Sequence, residues 1–374
     1  MNRLQALHDA GVSIWLDTLS RELLDSGEFA ELIAECAVTG ATSNPTIFAK
    51  AITGSERYDD QLRDAIAQGT DDAQELFFAL ALEDIRRAAD LLRAAHDESD
   101  GRDGFVSFEC TPDLADDTDA TIGQASELWE RIDRPNVMIK VPATEAGIPA
   151  IEELIARGVN VNITLLFSLA RYEQVIDAYV AGLERRLASG DPVDAISSVA
   201  SFFVSRVDAK VDRLLADGSD LRGRVAIANA HRAYARYRDR FADGRWLTLR
   251  AAGARSQRPL WASTGTKDPA YSDVLYVEKL IAPEVINTMP EATLRAFADH
   301  GNVGRALSVD AEEAAEILLG ADGAGVDVDA ITAALEREGV RSFCDSYHQL
   351  LECIEAKKAQ IATDSGGPVA RPDR

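Results

Sequence analysis

Lysine is scarce in this 374-residue chain. Only Lys50, Lys140, Lys210, Lys267, Lys279, Lys357 and Lys358 occur, and arginine carries most of the positive charge. Six of these lysines fall in polar or helical contexts; Lys140 alone lies inside a short apolar run, NVMIKVP. Histidine is also sparse. His8, His96, His231, His300 and His348 are scattered with no pair at ligand spacing, which argues against a zinc-dependent aldolase or hydrolase. Four cysteines, Cys36, Cys110, Cys344 and Cys353, form neither a CxxC metal pattern nor a dense disulfide framework, so buried free thiols in a reducing cytoplasm are expected. No apolar run reaches the length of a membrane span, and MNRLQALHDAGVSIW has no signal-peptide pattern. No G-x-S-x-G elbow is present, and no G-x-G-x-x-G follows the first apolar run. The glycines of GADGAGVD near 320 lack a following GK[ST] and read as a loop.

Positive charge is in deficit overall, at −24 net. Such a chain repels nucleic acid and anionic membranes, so neither is an expected partner. It also repels a phosphorylated ligand, so any phosphate site needs cations placed locally. With 46% of residues apolar, a large core is affordable.

What is present is an alternation. Eight short apolar or β-branched runs occur at 12–17, 38–44, 105–109, 136–141, 159–164, 196–201, 260–264 and 285–288. Between most of them lie amphipathic stretches such as Ala73 to Ala95 and Ser168 to Ala188. Strands alternating with helices mean a parallel sheet, and eight of them suggest a closed (β/α)8 TIM barrel of the α/β class; an open doubly wound sheet is the alternative. Additional helices are expected at both ends: residues 1–10, then 291–299, 308–319 and 328–361, the last interrupted around Gly339. The expected organisation is a single catalytic domain over 1–362 with a disordered tail at 363–374.

Residues two apart on a strand share a face. In strand one, Val12, Ile14 and Leu16 oppose Ser13, Trp15 and Asp17. In strand three, Val106 and Phe108 oppose Ser107 and Glu109. In strand four, Val137, Ile139 and Val141 oppose Met138 and Lys140. In strand five, Val159, Val161 and Ile163 oppose Asn160, Asn162 and Thr164. In strand seven, Leu260 and Ala262 oppose Trp261 and Ser263. One face is apolar and suits a helix layer. The other ends in a polar group at the carboxyl terminus, where barrel active sites are built. Asp17, Asn44, Glu109, Lys140, Asn162, Thr164, Ser201 and Ser263 are expected to converge there.

Each position also has a structural alternative. Asp17 suits a helix cap, and Asn44 before Pro45 suits a turn. Thr164, Ser201 and Ser263 suit satisfied barrel hydroxyls, and Glu109 with Lys140 suits a buried structural ion pair. Asp113, Asp116, Asp117 and Asp119 read as a solvated loop leading into a helix at Thr121.

The run I139-K140-V141-P142-A143-T144 resembles the Schiff-base lysine segment of transaldolases. T42-S43-N44-P45-T46, N162-I163-T164-L165-L166-F167-S168 and S201-F202-F203-V204-S205-R206 resemble that family's segments on strands two, five and six, in family order. The resemblance implies Lys140 as Schiff-base lysine, Asp17 as acid/base and Glu109 with Thr164 as holders of a proton-carrying water. It also implies Asn44 and Asn162 as hydroxyl ligands of a dihydroxyacetone unit, with Ser201 and Arg206 contacting substrate and phosphate. Family members often carry Ser-x-Arg after strand seven. Here the segment reads S263-T264-G265-T266-K267, so either Lys267 substitutes beside Ser263 or the phosphate rests more on Arg206. The resemblance implies sugar phosphate substrates of the pentose phosphate pathway, no cofactor, no metal, and a cytoplasmic location. Oligomeric state stays open, a homo-oligomer included. Shorter fructose-6-phosphate aldolases of the superfamily typically lack a glutamate at the position of Glu109. A non-catalytic sugar-phosphate sensor would have no use for Lys140, Asp17 and Glu109 together.

Overall fold

The computed structural model describes residues 2–304 and 311–365. Eight parallel strands close a barrel in sequence order: β1 (Val12–Leu16), β2 (Val38–Thr42), β3 (Phe105–Glu109), β4 (Val137–Pro142), β5 (Val161–Leu166), β6 (Ser198–Phe203), β7 (Arg258–Ala262) and β8 (Val285–Met289). All eight runs read from the sequence are strands, with boundaries moved by at most two residues. The barrel is the expected (β/α)8 architecture, and the helix Arg3–Asp9 precedes it.

The outward faces are apolar because they meet the helix layer. Ile14, Val106, Phe108, Ile139, Val161 and Ile163 are all buried. Inside the barrel, Gly40 has no side chain because the Trp15 indole fills its space; a Cβ there would stand 2.4 Å from the indole nitrogen. That nitrogen donates to Asp103 at 2.8 Å.

The facing of β7 differs from expectation. Trp261 packs edge-on to Phe202 at 6.2 Å, and Phe202 meets Tyr172 of the helix Leu169–Ala188, so this face points to the helices. Its indole N–H donates to the Leu280 carbonyl at 3.1 Å. Leu260 and Ala262 take the interior instead. Alternation alone does not orient a strand with large apolar residues on both faces; a bulky indole needing a hydrogen-bond acceptor goes where one exists.

After β8 come helices Glu291–His300, Ala311–Gly323 and Val328–Ser365. The last runs unbroken through Gly339, contrary to the expected interruption. Glycine costs a helix about 1 kcal/mol, which packing offsets here. A Cβ on Gly339 would stand 2.9 Å from Leu165 Cδ2, so the bare backbone lets the long helix lie against the end of β5. Leu165 itself has a positive φ of 57°. The GADGAGVD stretch is helical as far as Gly323, because the helix propagates through its first glycine, and only the remainder is a loop. The helix expected at Thr121 begins at Thr118, capped by the Asp117 carboxylate. Thr363 to Ser365, expected in the tail, continue the helix. The rest of that tail, and residues 308–310, lie outside the described residues. All four cysteines are free, and only Cys110 is fully buried. Among the described residues no helix is long and apolar enough to cross a membrane.

Candidate active site

At the carboxyl ends of the strands a cavity of about 150 Å³ is lined by eight of the ten residues singled out above. These are Asp17, Asn44, Lys140, Thr164, Ser201, Arg206, Ser263 and Lys267. Three cations and one carboxylate line it, so the mouth is cationic within an acidic protein. The requirement for local cations is met at this point of the surface.

Strand register creates the central pair. Glu109 is directly opposite Lys140 across the β3–β4 ladder. Lys140 Nζ donates to Glu109 Oε2 at 3.2 Å and to the Ser43 carbonyl at 3.1 Å. Both side chains are buried, at 7% and 5% exposure, so water does little to screen the pair. Burial raises the Glu109 carboxyl above the ordinary carboxylate range, and the Lys140 charge and hydrogen bond oppose that rise. Glu109 thus reaches the cavity through Lys140 rather than lining it.

Asp17, just past β1, accepts a hydrogen bond from Thr42 Oγ1 at 2.9 Å. Thr42 Oγ1 also lies 3.1 Å from Thr288 Oγ1. The next helix is capped by Ser20, so Asp17 is not its cap. Asn44 does cap the helix Pro45–Thr53, accepting from the Ile47 N–H at 3.1 Å, and its amide NH2 remains for the cavity. Thr164 Oγ1 is buried without a hydrogen-bond partner, which is costly unless a ligand or water completes it.

Asn162 lies one layer lower. It is fully buried, donates to Ser107 Oγ at 2.9 Å and accepts from Ser201 Oγ at 2.6 Å. The structure therefore places it beneath the cavity, where it orients Ser201.

Arg206, the second residue of the helix Ser205–Val211, lies over the Phe203 ring with 5.2 Å from guanidinium carbon to ring centre. Burial lowers its pKa, and the nearby charges of Asp17 and Glu109 oppose that shift. The neighbouring carboxylates on its helix are occupied elsewhere. Asp208 accepts from the Ala226 N–H and the Tyr276 hydroxyl, and Asp212 from the Gly223 N–H and the Tyr271 hydroxyl. Among the described residues Arg206 has no salt-bridge partner, which leaves its forked donors directed at the cavity.

Ser263 enters the cavity by a route that strand alternation does not provide. It follows Ala262 with φ of 56°, and this turn brings it to the interior side. Its hydroxyl lies 2.9 Å from Ser205 Oγ, tying the end of β7 to the helix that carries Arg206. Lys267 is exposed at the rim.

Seven lining residues are not among those candidates: Thr42, Phe203, Ala262, Gly265, Thr288, Pro290 and Phe343. Thr42 ends β2 and Thr288 is the penultimate residue of β8, so strand parity holds a usable signal for them. Phe343 comes from the helix Val328–Ser365, and nothing local marks it.

The family described as Transaldolase/Fructose-6-phosphate aldolase matches residues 14–354. A transaldolase of Saccharopolyspora erythraea is 51% identical over 365 residues, covering 96% of this chain and 98% of that protein. A transaldolase of Frankia alni is 48% identical over 369 residues, covering 97% and 99%. A Streptomyces avermitilis protein named transaldolase 1 is 50% identical over 360 residues, covering 95% of each.

Proposed function

The chain belongs to the transaldolase/fructose-6-phosphate aldolase family, and from that premise we propose that it transfers a dihydroxyacetone unit from sedoheptulose 7-phosphate to glyceraldehyde 3-phosphate through a Schiff base on Lys140. The products are erythrose 4-phosphate and fructose 6-phosphate, in the cytoplasmic pentose phosphate pathway. The observation that carries the reading is the buried contact of Lys140 with Glu109 beneath a cationic barrel mouth.

An amine attacks a ketose carbonyl only when neutral. Glu109, within hydrogen-bond reach, takes the ammonium proton and passes it, with a water held against Thr164, to the carbinolamine hydroxyl as it leaves. The resulting cationic imine accepts the electron pair when C3–C4 breaks. Asp17 takes the proton of the C4 hydroxyl and returns it to the acceptor aldehyde. Asn44 bonds the hydroxyls of the retained three-carbon unit, while Asn162 acts through Ser201. Arg206, with Ser263 and Lys267, holds the phosphate. The barrel and its C-terminal helices act as one catalytic unit over 1–362, since Phe343 closes one wall of the cavity. The presence of Glu109, which aldolases of the superfamily typically lack, favours transfer over simple cleavage.

The test is product formation from sedoheptulose 7-phosphate and glyceraldehyde 3-phosphate. Appearance of fructose 6-phosphate and erythrose 4-phosphate in equal amounts is expected. Release of free dihydroxyacetone from fructose 6-phosphate, with no transfer, would assign the chain to the aldolase branch.

A further inference from the structure

A second, larger cavity of about 690 Å³ opens at the amino-terminal ends of the strands. It is at the opposite end of the barrel from Lys140, and no step of the transfer reaction uses it. Its floor includes Met138, one inward position below Lys140 on β4. The volume suits a small-molecule ligand.

Arg102, Arg250, Arg255 and Arg258 line it. Four guanidinium groups at one site are notable in a chain of net charge −24. Two of them are fixed in place by neutral groups. Arg258 donates to the Arg102 carbonyl at 3.0 Å, the Glu284 carbonyl at 3.2 Å and Ser13 Oγ at 2.7 Å. Arg255 donates to the Gly101 carbonyl at 3.2 Å and lies so close to Gly101 that a Cβ there would stand 2.8 Å from Nη1. Among the described residues none of the four meets a carboxylate within 4 Å. Three carboxylates also line the cavity, those of Asp100, Asp194 and Glu284, but all belong to exposed residues. One wall is aromatic: Tyr237, Phe241 and Trp246 pack in series, with ring centres 5.2 Å and 4.7 Å apart.

We propose that this cavity is a second ligand site, for a small organic phosphate such as a phosphorylated sugar or nucleoside. Arginines held by neutral acceptors are in no direct ion pair, four guanidinium groups exceed the three exposed carboxylates, and the guanidinium fork matches phosphate oxygens. The exposed carboxylates at the rim suit the hydroxyls of the organic part.

The test is calorimetric titration of the full chain with inorganic phosphate, ribose 5-phosphate and adenosine 5′-phosphate. It is run on the wild type, on Arg206→Ala and on the double variant Arg102→Glu/Arg250→Glu. Arg102 and Arg250 are exposed and their replacement leaves the fold intact, as circular dichroism checks. At least one organic phosphate is expected to bind saturably to the wild type and to Arg206→Ala alike, more tightly than inorganic phosphate. Preference between sugar and nucleotide identifies the organic part. The double variant is expected to bind about tenfold or more weakly. No saturable binding up to ~10 mM, binding lost in Arg206→Ala, or unaltered binding in the charge-reversed variant would each overturn the proposal.

Discussion

Lys140 Nζ lies 3.2 Å from Glu109 Oε2, and the two residues sit directly opposite each other across adjacent parallel strands. A buried ion pair of this kind is poor evidence for stability, because desolvation offsets much of its attraction. Its placement beside an unpartnered Thr164 hydroxyl, under a cationic mouth, gives it a chemical reading instead.

Glu109→Gln is expected to lower transferase turnover by about 10²–10⁴-fold, the usual worth of a positioned proton carrier, with little change in substrate binding. Some simple aldolase turnover is expected to emerge. Burial raises the Glu109 carboxyl, so the acid limb of the wild-type turnover profile should lie above the ordinary carboxylate range, and the variant should lose that limb. A profile and turnover identical to wild type would remove Glu109 from the reaction.

Arg206→Ala is expected to raise the KM for fructose 6-phosphate by roughly ten- to a hundredfold, as loss of a charged hydrogen bond implies. Turnover of unphosphorylated fructose, measured in parallel, should hardly change. Equal losses on both sugars would mean that Arg206 supports the barrel mouth rather than the phosphate, and would leave Lys267 as the main phosphate cation.

Asp208, two residues beyond Arg206, is buried, and burial pushes its carboxyl from 3.8 to about 7 despite hydrogen bonds from Ala226 N–H and the Tyr276 hydroxyl. The folded protein therefore keeps a proton that the unfolded chain releases. This contribution to stability is complete below the unfolded value and is lost as pH rises through about 7, at up to about 1.4 kcal/mol per pH unit. Asp208→Asn should flatten this fall and make the protein more stable than wild type at pH above the window. Denaturant midpoints across the range check it; a variant with the wild-type slope would contradict it.

The barrel was legible because its strands are short, β-branched and spaced by helices. Most of the site was legible because period-two alternation fixes which residue ends each strand on the inside, as for Glu109, Lys140 and Thr164. That logic failed at β7, where Leu260 and Trp261 offer apolar groups to both faces and a hydrogen bond to the Leu280 carbonyl decides. Ser263 nevertheless reaches the cavity, through a left-handed backbone turn that no side-chain pattern announces. Asn162 has the expected facing but the wrong depth, since facing does not specify layer. Spacing does not decide the freedom of Arg206, because Asp208 and Asp212 follow it closely enough to pair with it, and only the fold brings the Tyr276 and Tyr271 hydroxyls onto those carboxylates. Phe343 was invisible for a different reason: an apolar residue on an amphipathic helix looks the same whether it meets the core or a substrate.

Borohydride reduction in the presence of fructose 6-phosphate, followed by peptide mass mapping, examines the proposed covalent intermediate itself. A three-carbon adduct on Lys140 is expected, absent without sugar, and absent in a folded Lys140→Ala variant that has lost nearly all turnover. An adduct on any of the other six lysines, or none at all during active turnover, would contradict the Schiff-base assignment.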